Sequence, residues 1–265
     1  MAAPDITVLL LQGAVLVVLV AAALTGRPAL LVATGALAGA LAALAADLLR
    51  SGWRGDLSLT LWATVTATLL AYVVIGWAAP ALRRLSVLLM PYLLLVGLLA
   101  LLVRLLAPVQ SMPGSVGPVA WFDAHIVFAL ATYALLSLAA IAGLASLLQD
   151  AALKQKQPSG IANRLPSLAD SERLEIRLLT AAEIVLGIGI ATGMALGWFS
   201  AHDAMPFDHK TVLAIAAFVL IGALLWAHAR TGFRGKRAAR WVLVAWLLLT
   251  LAYPGVKFVR EILLG

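Results

Sequence analysis

The chain contains no cysteine, which excludes disulfides, thiolate zinc sites, iron–sulfur clusters and thioether-linked haem held by its own residues. Any metal or cofactor would have to be held by His, carboxylate or Met, and there are only 4 His and 5 Met. Charge is scarce too. Asp, Glu, Lys and Arg make up 12% of the 265 residues, against about 25% in an average soluble domain. A soluble domain of this length exposes too much surface for so few charges, so the composition excludes a soluble globular enzyme, a disordered chain and a nucleic-acid binder. A Gly-rich phosphate loop, a paired-His zinc motif and a Ser/His/Asp set are also missing, and a non-enzymatic role is expected. What remains is apolar: 63% of the residues are hydrophobic, above the roughly 45–50% of soluble proteins. Most of this chain must be solvated by something other than water.

Eight apolar runs are each long enough to cross a hydrocarbon layer of about 30 Å at 1.5 Å per residue. They cover approximately residues 5–25, 28–46, 58–79, 85–106, 124–148, 176–200, 210–229 and 239–260. Lipid cannot satisfy an open strand edge, so all eight are expected to be helices. The first run has no Lys or Arg before it and reads as a retained span, not a cleaved leader. Orientation follows from the 19 Lys and Arg. With the N-terminus outside, thirteen fall in inner loops, at Arg27, Arg83, Arg84, Lys154, Lys156, Arg164, Arg173, Arg177, Arg230, Arg234, Lys236, Arg237 and Arg240, and six outside. That bias predicts an all-α integral membrane protein of eight transmembrane helices with both termini outside, and it explains the net charge of +7 without nucleic acid.

No internal repeat is visible, and residues 1–265 read as one polytopic membrane domain. Two stretches exceed simple turns: an uncharged Pro- and Gly-rich segment at 107–121, and 150–175 on the inner side, where a weak seam is expected. Ser171 is the expected N-cap of the sixth span. Gly35 and Gly39, and Gly189, Gly193 and Gly197, recur every four residues, which suits close helix packing or the wall of a pocket for a flat cofactor. Trp53, Trp77, Trp121, Trp198, Trp226 and Trp241 lie near span ends, as an interfacial belt would place them. Trp121 and Trp198 also suit stacking, because both lie outside near histidines.

The histidines carry most of the possible chemistry. His125 opens span five and His209 opens span seven, both entered from the outer side, so their imidazoles are expected at similar depth. Two such rings can clamp a haem iron, or share a metal with a carboxylate such as Asp123 or Asp208. His228 follows His209 by 19 residues, about 28 Å along a helix, and belongs to the inner face. His202 precedes Asp203 in an outer loop. Glu183 lies about two turns into span six, where a carboxylate must be paired, protonated or facing a wet cavity. Arg104 is expected to snorkel to the outer interface. Lys257 and Arg260 fall on nearly one helical face at the outer end, where they either anchor to the membrane surface or hold an anionic group such as a haem propionate.

Several of these segments also resemble a known family. Trp121 through Asp123-Ala124-His125 to Tyr133-Ala134-Leu135, Leu165-Pro166-Ser167-Leu168, Phe207-Asp208-His209-Lys210-Thr211, Trp226-Ala227-His228-Ala229-Arg230, and Tyr253-Pro254-Gly255-Val256-Lys257-Phe258-Val259 are similar to cytochrome c assembly proteins of the CcsA/CcmC haem-handling type. The resemblance covers roughly 120–262. Residues 1–119, with four N-terminal spans, agree in span count and texture. The short Ser200–Pro206 segment stands where many members carry a Trp-rich stretch, so the likeness is to the HemX/YpjD-like branch. The resemblance implies His125 as an external haem ligand and His228 as an internal one. His209 stands where the family has proline, so its role rests on the depth argument.

Two readings follow. One is a haem-handling protein of the bacterial inner (plasma) membrane assisting cytochrome c assembly, with His125 and His209 as ligands and cytochrome assembly proteins as partners. The other is a cofactor-free membrane regulator or scaffold whose basic inner loops hold a haem-biosynthesis or ion-transport partner.

Overall fold

With no water in hydrocarbon to bond a peptide group, regular structure in so apolar a chain has to be helical, and every regular element among the described residues is. The computed structural model describes residues 6–25, 30–53, 55–106, 119–155, 160–201, 209–255 and 258–259. These fall into two compact units, one of residues 1–112 with 257–265 and the other of residues 113–256.

In the first unit, α1 (Ile6–Thr25), α2 (Leu30–Ser51), α3 (Leu57–Ala78) and α5 (Ser86–Leu106) pack in a closed ring in chain order, with α5 returning to α1. The short α4 (Pro80–Arg83) links α3 to α5. This is an up-and-down four-helix bundle. Helix α3 is the most enclosed, and it carries hydroxyls that need partners. Thr64, Thr66 and Thr68 donate to the carbonyls four residues back at 2.8–2.9 Å. Ser58 reaches across to the Ala100 carbonyl at 2.9 Å. The helix begins where the Leu59 N–H donates to Asp56 Oδ2 at 3.2 Å.

Arg104 does not snorkel. Its guanidinium turns inward and donates to both carboxylate oxygens of Asp47, at 2.7 and 3.2 Å. The side chains are only 9% and 6% exposed. Since α2 and α5 stand across the ring from each other, this forked pair bridges the bundle interior. Turning outward would have left the Asp47 carboxylate buried without that partner, a larger cost than drawing the arginine in.

The second unit repeats the closed-ring pattern with α6 (Val119–Lys154), α7 (Leu168–Ala201), α8 (His209–Thr231) and α9 (Lys236–Thr250). Helices α6 and α7 run 36 and 34 residues, well beyond the 20 or so needed to cross a bilayer. They pack on each other more extensively than any other pair. Much of the expected inner loop at 150–175 is therefore helix, and the expected seam there is instead the α6–α7 hairpin. Gln149 closes it by donating to the Ala162 and Pro166 carbonyls at 2.8 and 2.9 Å. The N-cap of α7 is Ser167, not Ser171: its hydroxyl accepts the Asp170 N–H at 3.1 Å and donates to the Asp170 carboxylate at 2.7 Å. Ser171 is one turn inside, fully buried.

Among the described residues seven helices are long and apolar enough to cross a membrane. The α-helical part of α9 is only 15 residues, and it continues as a π turn at Leu251–Gly255. Pro254 lies in that turn and has no N–H to offer the preceding carbonyls, so the regular ladder ends there. Trp77, Trp121, Trp226 and Trp241 are exposed, as an interfacial belt requires.

Removing one member of the Asp47–Arg104 pair should be severe, with a cost of about 3–5 kcal/mol for an orphaned buried charge. Thermal unfolding of detergent-solubilised Asp47→Ala and Arg104→Ala should show strongly lowered midpoints. The paired replacement Asp47→Leu with Arg104→Met should recover most of the loss; equal damage from the double variant would refute this account.

Candidate functional site

Small residues decide how closely α6 and α7 approach. Ala139, Ala142, Gly143, Ala145 and Ser146 of α6 are buried, while α7 presents Gly189 and Gly193 nearer its other end. Without side chains there, a polar group on the facing helix can enter the seam. His125 does so. A Cβ added at Gly193 would stand 3.0 Å from His125 Cε1 and 3.3 Å from Nδ1, and one at Gly189 would meet Phe128. Two of the three expected glycines of α7 thus form a helix-packing seam that also seats an imidazole.

The ring is held by a specific contact. His125 Nδ1 lies 3.1 Å from the Gly189 carbonyl, an acceptor only, so Nδ1 carries the proton and donates. Thr192 Oγ1, itself donating to the same carbonyl at 2.9 Å, stands 3.5 Å from Nδ1. With Nδ1–H committed, Nε2 keeps its lone pair. This is how metal-ligating histidines are held: the second nitrogen is anchored to a carbonyl or carboxylate, which fixes both tautomer and orientation. The ring is half-buried. Trp121, four residues earlier and therefore on the same helical face, is exposed at 41%.

His209 is the first residue of α8 and is exposed. Helices α6 and α8 both pack on α7 and α9, so they face each other across the bundle without being neighbours. The two histidines thus stand at the same end on diagonal helices, and no bond joins them. His228 lies at the opposite end of α8, half-buried, with Nδ1 3.0 Å from the Phe233 carbonyl. The α8–α9 turn that brings this carbonyl back is made by Gly232 and Gly235 at φ of 65° and 75°, a region open to glycine at little cost. His228 is accordingly also a Nδ1–H tautomer with Nε2 uncommitted.

Glu183 faces α8, where Gly222 makes room: a Cβ there would stand 3.1 Å from Oε1. Its Oε2 is buried without a partner among the described residues. Among the described residues no three His, Asp or Glu side chains converge as a metal site. Asp123 is exposed. His202, Asp208, Lys257, Arg260 and the Trp198 side chain lie outside the described residues. Sequence reasoning missed Thr192 and the Gly189 carbonyl, because a backbone acceptor leaves no trace in residue type. It also missed Glu175, buried on α7; the signal was available, since Ser171, Glu175, Leu178, Leu179, Ala182 and Leu186 follow the helical period of the buried stripe.

Comparison with known proteins bears on this arrangement. The family model described as "Cytochrome C assembly protein" matches residues 14–264. An uncharacterized 28.8 kDa protein in a nifR3-like 5′ region of Azospirillum brasilense is 50% identical over 213 residues, 80% of this chain and 78% of that protein. Inner membrane protein YpjD of Escherichia coli K12 is 30% identical over 141 residues, 52% of each chain. Protein HemX of Brevibacillus brevis is 27% identical over 131 residues, covering 49% of this chain and 48% of that one.

If Gly193 is what admits the imidazole, Gly193→Ala should displace it, at about 1–3 kcal/mol for overpacking. Nitrogen-15 NMR of labelled, detergent-solubilised protein should find the Nδ1–H tautomer of His125 in the natural chain and a mixed or reversed population in the variant. An unchanged tautomer would show that the Gly189 contact does not depend on this notch.

Proposed function

This chain belongs to the cytochrome c assembly protein family, and we propose that it is a haem-handling, multi-pass protein of the bacterial inner membrane that assists cytochrome c assembly. The observation carrying this reading is His125: its Nδ1–H is anchored to Gly189 O and its Nε2 is left for an iron. When bound, haem supplies an iron whose axial position an imidazole nitrogen can fill. His125 supplies that nitrogen from α6. Trp121, one turn away, offers a flat aromatic face beside it. His209 would offer a second nitrogen from the diagonal helix, Lys257 and Arg260 would hold an anionic group such as a propionate, and His228 would be the internal ligand. On this reading the protein is a carrier, not an enzyme, and its partners are cytochrome assembly proteins or haem-biosynthesis enzymes.

The same reading takes α9 with its π turn, 20 residues in all (236–255), as an eighth crossing, with both termini outside. The supporting feature is the distribution of charge. Arg164, Arg173, Arg177, Arg230, Arg234, Arg237 and Arg240 are all exposed near one end of the second unit, opposite His125, as a cytoplasmic end would be.

That basic end also favours a second reading, a cofactor-free regulator or scaffold that holds a haem-biosynthesis or ion-transport partner through residues 150–177 and 230–240. An absorption spectrum of the detergent-solubilised full chain, with and without added haemin, separates the two. The haem reading predicts a Soret band that is lost in His125→Ala, weakened or shifted in His209→Ala, and retained at the outer site in His228→Ala. Colourless protein that ignores haemin, with a cellular phenotype that follows charge reversal at the basic end, would leave the scaffold.

A further inference from the structure

At the basic end of the second unit, well away from His125, two polar atoms are buried with no partner. Glu175 is 2% exposed and Ser171 is 0% exposed, and neither Glu175 Oε1 nor Ser171 Oγ makes a hydrogen bond. They are four residues apart on α7, so they lie on one face, one turn from each other. That face is aimed into the junction with α6 and α9. A Cβ built on Gly143 of α6 would stand 3.2 Å from Glu175 Oε1 and 3.5 Å from the Cα of Ala239 in α9. A side chain at Gly143 would press on the carboxylate, so glycine there is what admits it to the junction.

Among the described residues no cation fills it. On α6, Asp150 takes Lys236 of α9 at 2.9 Å and Lys154 at 3.2 Å, so the nearest ammonium groups are committed elsewhere. Arg237 and Arg240 of α9, Arg173 and Arg177 of α7, and Arg164 of the 3-10 turn all point to solvent. On α8, His228 is bonded to the Phe233 carbonyl. Among the described residues Glu172, one turn back, repels the Glu175 carboxylate. A bare carboxylate in this position is strongly unfavourable. An apolar residue would have fitted the stripe without cost, so the site needs a positive charge from outside the chain.

We propose that Glu175 and Ser171 form a binding site for a single positive charge, taken up either as a proton or as an alkali cation such as sodium. The donor set is oxygen only, with one formal negative charge. That matches a hard monovalent ion and falls short of what a divalent ion requires. Both candidates neutralise the same carboxylate. Ser171 Oγ, on the same face and bonded to no protein group, can serve as a second oxygen donor to an ion beside the carboxylate. Filling the site stabilises the α6–α7–α9 junction, and emptying it drives the carboxylate toward solvent and loosens the hairpin that carries the basic end.

The test uses the full chain in detergent, following the thermal unfolding midpoint. Sodium chloride is titrated against choline chloride at constant ionic strength, and pH is stepped from alkaline to mildly acidic in choline alone. The natural protein should gain stability with sodium, with falling pH, or with both. Sodium alone identifies the alkali ion, and acid alone identifies the proton. Glu175→Gln, which keeps the shape without the charge, should lose the dependence and match the filled protein. Should that variant not fold, Ser171→Ala should shift the sodium or pH midpoint several-fold. A natural protein indifferent to both arms, a Glu175→Gln variant with an unchanged response, or an unshifted Ser171→Ala midpoint each overturns the site.

Discussion

The second unit depends on how close α6 and α7 can come. Both helices exceed what a bilayer requires, and along their contact the side chains that must not meet lipid are received by glycine. Gly193 admits His125, Gly143 admits the Glu175 carboxylate, and Gly222 of α8 does the same for Glu183. In a soluble protein a polar side chain at such a place would find water. Here the alternative is hydrocarbon, so the backbone must either approach closely enough to bond the group or leave a notch that keeps it inside protein. For His125 the close approach provides a carbonyl. For the two carboxylates it provides space and no partner.

The glycines therefore act differently at the two ends of α7. At Gly189 and Gly193 the polar group is satisfied and fixed, so the imidazole is presented in one tautomer with one nitrogen outward. At the other end the polar group is enclosed and unsatisfied, so its stability depends on what enters. The family match and the relatives concern the chain over most of its length, while the distinct treatment of these three side chains is visible only in how the helices meet.

Much of the architecture was legible because hydrocarbon imposes helices and because apolar runs report their lengths directly. The end of α9 was less legible: the run from 239 to 260 is mostly apolar, yet Pro254 interrupts its hydrogen-bond ladder, and apolarity alone does not register that. The helical extension at 149–154 and 168–175 was hidden for the opposite reason, since polar residues there read as loop although α6 and α7 continue past the apolar runs and pack on each other. Arg104 read as a snorkelling cation because its partner lies 57 residues away, a separation no local pattern reveals. His125 was visible as a residue type at a span end, but its tautomer came from a carbonyl on another helix. Ser171 looked like a cap, and Ser167, four residues earlier, had the better geometry with Asp170.

The bridge between Asp47 and Arg104 has a consequence for how the chain is made. Helix α2 leaves the ribosome carrying a carboxylate whose arginine has not yet been synthesised. At about 5–20 residues per second, the 57 residues between them take roughly 3–11 s to translate. Throughout that interval the aspartate lacks the arginine that bridges it to α5. Only after α5 enters can the first four crossings close around their interior, so the N-terminal half is committed late and as a group, not one hairpin at a time.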